Sequence, residues 1–500
     1  MKKIYIIATL LSIVGLQTSI CSAQDAVYKL LRYEWTLNDD GTSDYHYRHE
    51  VQILRNRALV AYADKGETFV VYNPDLEELT INEVYTIQKD GTRVNMPQNA
   101  FISQLPEECA DCGRFNHIRE LAMVHTGMEL GCTIVVDYTI HRQYNLLHES
   151  IPLQRECPVE KLEVVVNYNR DNMDLHYAVD GFQYLDANNA KSVETAGTAA
   201  NSNSLHYTFD NLPEAPHEPY MPADIVPTLR IYNSVPEFTP AFTQEAFRGA
   251  SDVMGQVMNK KGKENIVAAR NFVVDNIHLN DIPPSHLGYR HATAAEVWQT
   301  GCGTPVDKAV LLAGILNAEG YSASVAGDGD EVAVYIDTLE YRLSVRSKTP
   351  MTLYGKAKDE VKTINIKSTF DATLDTIGDG FYSFPMPFIH LEGDTDPIVR
   401  ASQLPLSRVT PLQTSACDIN TDITYLIPKG VKLVGGKINR ELSFDGVGSV
   451  KISITLKGNK LRLVRNMKVE KSLIPADKYS QYRQLLATWQ EIESLLLRSK

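Results

Sequence analysis

The residues with the clearest chemical meaning lie in the segment 301–312 (GCGTPVDKAVLL), which predicts the start of a helix beside a cysteine. Thr304 is a good N-cap, Pro305 suits the first helical position, and Asp307 can answer Thr304 in a capping box. A thiol at position 305 would lie at the positive end of this helix, where a thiolate is stabilised and becomes nucleophilic. Proline supplies no such group. Gly320 should end the helix.

Cysteines offer a second kind of chemistry. Cys109 and Cys112 are separated by two residues, which predicts either a local disulfide or two free thiols on a loop. No second closely spaced pair of cysteines or histidines follows at an interval familiar from zinc sites. We therefore expect no metal and no cofactor. The remaining cysteines beyond residue 23 are Cys132, Cys157, Cys302 and Cys417.

The first 23 residues have the pattern of a secretory signal peptide. Lys2 and Lys3 precede an apolar run, and the small residues at 21–23 are typical of a cleavage site, so we expect cleavage before Gln24. This favours export, to the periplasm of a Gram-negative type of cell, over lipid anchoring at Cys21. No later run approaches the roughly 20 apolar residues that span a bilayer.

The charge of the chain restricts its partners. Of 49 basic and 62 acidic residues, the leader contains two lysines and no acid, which leaves 47 against 62 and a net charge of −15. Nucleic acids and anionic membrane surfaces attract positively charged proteins. The composition therefore argues against both as partners.

Turn signals and periodicity predict a signal peptide at 1–23 followed by three domains. Residues 24–225 alternate like strands, with hairpin signals such as Asp40-Gly41, and predict an N-terminal β-sandwich. Residues 226–350 place helical patterns before two strand-like runs, which predicts an α+β core. Residues 351–500 predict a C-terminal β domain that ends in a helix. The predicted fold class is therefore multidomain α+β.

The predicted core resembles a known superfamily. Residues 266–345 resemble the transglutaminase-like, papain-related superfamily, and the mature length resembles exported proteins that place domain of unknown function 3857 before such a core. The residues that carry this resemblance are Gly303, Asp307, Ala309, Leu311, Leu312, Leu316 and Gly320.

The resemblance implies that the catalytic triad is substituted. In the superfamily a cysteine begins the helix, a histidine begins a later strand, and an aspartate ends the next strand. The best register places Pro305, Glu331 and Ser344 at these three positions. Because a thiol enzyme needs a nucleophile, a base and a group that orients the base, we expect no acyl transfer at these positions.

The favoured hypothesis is a non-catalytic protein that keeps a cleft for a peptide, a protein or a glycan-linked peptide. The candidate cleft residues are Trp298, Thr304, Asp330, Glu331 and Tyr335. Each also has a purely structural reading, as a core anchor, a helix cap or a solvated charge.

Two other hypotheses remain open. The first is a thiol-dependent transglutaminase or peptidase that uses Cys302, which requires His278, His286 or His291 to approach it in space. The second is a scaffold in which the two β domains bind proteins and the core is a spacer.

Overall fold

The computed structural model describes thirteen segments of the chain. They are residues 25–58, 68–169, 173–180, 203–222, 225–233, 244–257, 263–328, 331–336, 341–347, 352–353, 361–385, 404–490 and 494–500. The predicted signal peptide lies outside these segments. None of the helices in them is long and apolar enough to cross a membrane.

The architecture is predominantly β. Of the described residues, 48% lie in strands and 19% in helices, so the predicted α+β class is wrong for this chain. Alternating apolar and polar residues, which favour strands, extend through both ends of the chain. Helical periodicity is confined to short segments, and within the described ranges the strands form eight sheets, most of them small.

The amino-terminal part contains a seven-stranded sheet in the order β12-β10-β1-β2-β8-β4-β5 and two three-stranded sheets, β11-β13-β9 and β3-β7-β6. Apolar residues from all three sheets meet in shared cores, so the small sheets cover the inner face of the large one. The strands are β1 (Ala26–Leu37), β2 (Ser43–Ile53), β3 (Phe69–Tyr72), β4 (Glu77–Ile87), β5 (Arg93–Asn95), β6 (Phe101–Gln104), β7 (Arg119–Met123), β8 (Thr133–Arg142), β9 (His148–Pro152), β10 (Val159–Tyr168), β11 (His176–Asp180), β12 (Asn203–Leu212) and β13 (Thr228–Tyr232).

The helices that position the candidate site follow. They are α1 (Ala250–Val257), α2 (Lys263–Asn276), α3 (Ala294–Thr300) and α4 (Pro305–Ala318). With them lie β14 (His278–Leu279), β15 (Cys302–Gly303), β16 (Ala323–Asp328), β17 (Glu331–Ile336), β18 (Tyr341–Ser344) and β19 (Thr352–Leu353). Strands β14 and β15 pair in parallel, and β16 to β19 form an antiparallel sheet.

Helix α4 is the centre of this region. Its twelve residues from Pro305 to Leu316 are all buried, as expected for a helix in which all of them except Asp307 and Lys308 are apolar. Side chains of α4 share one apolar core with α1, α2, α3 and the sheet of β16 to β19. Packing against three helices and one sheet therefore fixes the position of α4.

The carboxy-terminal part is β again. Its strands are β20 (Lys362–Asp371), β21 (Asp375–Gly378), β22 (Phe381–Pro385), β23 (Leu412–Gln413), β24 (Cys417–Leu426), β25 (Val431–Leu433), β26 (Ile438–Phe444), β27 (Gly448–Lys457), β28 (Lys460–Val469), β29 (Leu473–Ile474) and β30 (Ser494–Ser499), with α5 (Tyr479–Gln490) before the last strand. The predicted terminal helix is correct over α5, whose Tyr482 and Trp489 are buried. The chain then ends in β30, so the prediction of a domain that ends in a helix is wrong.

Close contact between α1 and α4 depends on Gly314. A Cβ atom at Gly314 would lie 2.7 Å from the Cβ of Ala250, whereas one at Gly255 on α1 would meet nothing within 4 Å. We predict that Gly314→Ala lowers the free energy of unfolding by about 1–3 kcal/mol through overpacking. Gly255→Ala should raise it by about 0.5–1 kcal/mol through helix propensity. Chemical denaturation of both variants tests this, and a change of the same sign in both would contradict it.

Candidate functional site

The start of α4 has the local structure that the sequence predicts. Thr304 is the N-cap, and its hydroxyl accepts a hydrogen bond from the Asp307 amide at 3.2 Å. Asp307 Oδ2 accepts in return from the Thr304 amide at 2.9 Å. The helix ends at Ala318 and Gly320 follows with φ +95°, which confirms the predicted end.

Asp307 has two further partners that come from distant parts of the chain. Its Oδ1 accepts from the Ala292 amide at 2.6 Å, and its Oδ2 accepts from the Arg114 guanidinium at 2.8 Å. The Asp307 side chain is fully buried. Because a buried carboxylate is costly unless it is paired and hydrogen-bonded, Arg114 and Ala292 must stay where they are.

A disulfide joins the same two regions. Cys112 is bonded to Cys302, 190 residues later, with Cα atoms 5.9 Å apart. The predicted local pairing of Cys109 with Cys112 is therefore wrong, since Cys109 is a buried thiol outside the bond. Burial and the neighbouring Glu108 raise the pKa of the Cys109 thiol to about 11, which disfavours the nucleophilic thiolate.

Two buried polar side chains complete the frame around the start of α4. Lys308 donates from Nζ to the carbonyl of Ile277 at 2.8 Å, at the end of the segment that enters β14. Asn280 donates from Nδ2 to the carbonyls of Glu108 and Ala110, at 2.9 and 3.3 Å. These bonds hold the disulfide loop and β14 against the helix.

A pocket of about 190 Å³ opens beside the first turn of α4. It combines an apolar floor with charged residues. The lining residues are Asp281, Ile282, Pro283, Pro284, Leu287, Tyr289, Arg290, His291, Thr304, Pro305, Val306, Val332 and Arg346.

The residues predicted at the three triad positions lie at the start of α4, at the start of β17 and at the end of β18. Val332 of β17 lines the pocket together with Pro305. Position 331, the predicted counterpart of a histidine, is the neighbouring residue, and its side chain lies outside the described part of the chain. Ser344 pairs across the sheet with Ala333, so it lies on the opposite face from Val332. Ser344 Oγ accepts from the Arg346 amide at 3.3 Å.

The other predicted cleft residues are placed differently. Thr304 lines the pocket. Trp298 contacts Phe272 with ring centroids 5.4 Å apart and the ring planes tilted by 31°, and it packs on the apolar core. Tyr335 is half-buried on β17 and does not line this pocket, and Asp330 lies outside the described residues.

The pocket also contains polar residues that were not among the predicted cleft residues. His291 lines it beside Pro305, with Nδ1 donating to the Ala292 carbonyl at 3.1 Å. Arg346 forms two bonds with the Asp281 carboxylate at 2.5 and 2.8 Å, and this pairing lowers the pKa of Asp281. The sequence predicts a role for His291 only as a base for Cys302, and it carries no signal for the pair formed by Asp281 and Arg346.

The wall of the pocket at 283–291 is held by the amino-terminal sheets. Asn73 donates from Nδ2 to the His286 carbonyl at 2.7 Å, and the Tyr144 hydroxyl donates to the Ser285 carbonyl at 2.7 Å. Gly288 has φ +56°, and a Cβ there would lie 2.9 Å from a Leu76 methyl. The wall therefore packs against the residues that adjoin β3, β4 and β8.

Comparisons with known proteins agree with this architecture. The sequence model of DUF3857, a domain of unknown function, matches residues 39–215, which confirms that part of the predicted resemblance. That of DUF3858, another domain of unknown function, matches residues 396–495. No curated protein matches the chain.

A solved structure shares the fold over most of the length. It is a crystal structure described as a "putative protease" from Parabacteroides distasonis ATCC 8503. The TM-score is 0.74 at 24% sequence identity, covering 95% of this chain and 99% of that one. Together with the two family matches, this is consistent with a transglutaminase-like fold.

The disulfide gives a first prediction for the site. Replacing Cys112 and Cys302 by serine should lower the free energy of unfolding by about 2–5 kcal/mol, because the unfolded chain loses a cross-link over a long loop. Peptide mapping of the unreduced wild-type protein should recover the 112–302 cross-link. Cys109→Ser is the control and should leave that cross-link intact. Recovery of a peptide that joins Cys109 to Cys112 would contradict the pairing.

Acid should loosen the pocket wall through His286. Burial, helped by the charge of Arg142, lowers the pKa of His286 to about 4, and its Nδ1 has no hydrogen-bond partner in the described structure. The unfolded chain takes up this proton below about pH 6.5, so stability falls between about pH 6.5 and 4. We predict that His286→Phe reduces the loss of melting temperature between pH 7 and 5. The exposed His278→Phe is the matched control and should leave that loss unchanged.

Proposed function

We propose that this protein binds a peptide, alone or linked to a glycan, in the pocket beside Pro305 and does not turn it over. The main support for the proposal is that Pro305 and Val332 both line that pocket. A transglutaminase-like enzyme needs a thiol and a base in such an arrangement. Pro305 and Val332 are both apolar and can supply neither group.

The thiols of the chain support the absence of turnover. Cys302 is the cysteine nearest to Pro305 in sequence, and its sulfur is bonded to that of Cys112. His291 lines the same pocket as Pro305, so the first residue of α4 beside it is a proline and not a cysteine. Thr304 is occupied as an N-cap. The alternative function, a thiol enzyme that uses Cys302, therefore requires the disulfide to be reduced first.

The size and walls of the pocket support a peptide end as the ligand. At about 190 Å³ it is smaller than the roughly 300–1,000 Å³ of most small-molecule sites, which suits a single residue. Ile282, Leu287, Val306 and Val332 provide apolar walls for its side chain.

The charges around the pocket favour a carboxylate. Arg346 is paired with Asp281, but Arg290 is exposed and forms no ion pair within the described residues. A guanidinium binds a carboxylate through two parallel hydrogen bonds. The proposed ligand is therefore the carboxy-terminal residue of a peptide, with an apolar side chain.

The predicted export fits this role. A buried disulfide persists in oxidising compartments and is rare in the cytosol, and Cys112–Cys302 is such a bond. We propose that the protein acts in the periplasm, where the amino-terminal sequence predicts its delivery.

The proposal predicts binding without turnover. A labelled tetrapeptide that ends in leucine with a free carboxylate should bind in fluorescence polarisation, and its carboxamide should bind at least about tenfold more weakly. Val332→Trp should abolish binding by filling the pocket. Val124→Trp, at an exposed valine, is the control and should bind normally. Amine donors with glutamine or acyl-peptide substrates should give neither transfer nor hydrolysis.

Activity assays of Cys302→Ala separate the rival functions. Turnover by the wild type that survives this substitution would refute the non-catalytic proposal outright. Turnover that it abolishes would favour the thiol enzyme. Equal binding of the peptide by Val332→Trp and the wild type would place the ligand elsewhere.

A further inference from the structure

We propose that a second pocket, between two sheets of the carboxy-terminal part, binds a small phosphate ester. Its volume is about 500 Å³, within the range of small-molecule sites. Lys432, Lys437 and Lys457 line it together with the last residue, Lys500, and no acidic side chain does. This inference is independent of the peptide pocket, since the two share no lining residue.

Like charges are placed directly opposite each other at this end of the sheets. Lys432 of β25 pairs in register with Arg498 of β30. Lys457 of β27 pairs with Lys460 of β28. Like charges at directly opposite positions destabilise a sheet, so these pairs weaken the fold rather than support it.

The lysines of the pocket are not neutralised within the protein. None of Lys432, Lys437 and Lys457 forms a salt bridge to an acidic residue in the described segments. Other cations of the same sheet do: Arg462 holds Asp422 at 2.7 Å and Lys451 holds Glu441 at 3.2 Å. An unpaired positive cluster in a chain of net charge −13 therefore marks a place where an anion is expected from outside.

The walls define the class of anion. Val431, Leu433 and Leu456 add apolar atoms to the lining of the pocket. Gly436 and Gly458 add no side chain, so the mouth stays open. Lysine binds phosphate as a point charge from several directions, and an apolar wall suits the carbon skeleton of an ester. The same phosphate can be carried by a soluble ester or by a lipid headgroup.

The test uses the full chain and inorganic pyrophosphate as the probe in isothermal titration calorimetry at low salt. The wild type should bind it, and Lys432→Gln/Lys457→Gln should weaken binding at least about tenfold. Because this variant removes both like-charge pairs, its melting temperature should stay the same or rise. A lower melting temperature would overturn the argument from unfavourable pairing.

A matched control removes the same charge elsewhere. Lys468 and Lys471 are exposed near the far end of β28, and Lys468 is roughly 27 Å along the strand from Lys460. Lys468→Gln/Lys471→Gln should bind pyrophosphate like the wild type. Equal weakening in both double variants would overturn the proposal in favour of diffuse charge attraction, and no binding by the wild type at millimolar probe would overturn it directly.

Vesicles separate the two sources of phosphate once pyrophosphate binding is established. Cosedimentation with phosphatidic acid vesicles, lost in Lys432→Gln/Lys457→Gln and absent with phosphatidylcholine, supports a lipid headgroup. Pyrophosphate binding without cosedimentation supports a soluble ester.

Discussion

One buried carboxylate organises the region around the candidate site. Asp307 is fully buried and accepts hydrogen bonds from the amides of Thr304 and Ala292 and from the Arg114 guanidinium. Removing any one of these partners would leave part of a buried charge uncompensated, which costs several kcal/mol. The helix start, the loop before α3 and a segment almost 200 residues earlier are thus held by a single side chain. Gly303 follows from the same constraint, because a Cβ there would lie 2.7 Å from that of Asp307.

This arrangement separates the structural role of the helix start from its catalytic potential. A capped helix with a positive end is the setting that lowers the pKa of a thiol, and the cap, the glycine and the disulfide all preserve that setting. Pro305 fits the first helical position at no cost to hydrogen bonding. The capped helix start is therefore explained on structural grounds alone, and it says nothing for catalysis unless a nucleophile occupies position 305.

The parts of the site that sequence could predict are local ones. The cap, the helix and its end depend on residues within about sixteen positions of each other, so Thr304, Asp307 and Gly320 were sufficient. Arg114 and Cys112 are far from α4 in sequence and come close to it only in the folded protein. No motif near Cys302 could therefore have identified them. Strand register was the other obstacle, because a shift of one residue exchanges the faces of a strand. Sequence alone could not tell which residue at the start of β17 lines the pocket with Pro305, and in the structure Val332 does. Fold class failed because helices cover only 19% of the described residues, whereas strands cover 48%.

The distribution of charge over the surface is another property that the sequence alone could not predict. The net charge of −13 excludes an overall attraction to anions, yet it does not describe the field at any one surface. Lys432 and Lys457 are 25 residues apart and come together only because β25 and β27 belong to sheets that meet at their ends. A run of basic residues would have been visible in the sequence, whereas a cluster assembled from separate strands is not. A cluster of cations in a chain of negative net charge is informative because it does not stabilise the fold. Lysines at opposed positions repel each other. Such a cluster therefore points to a ligand more strongly here than it would in a basic protein, where lysines occur everywhere on the surface.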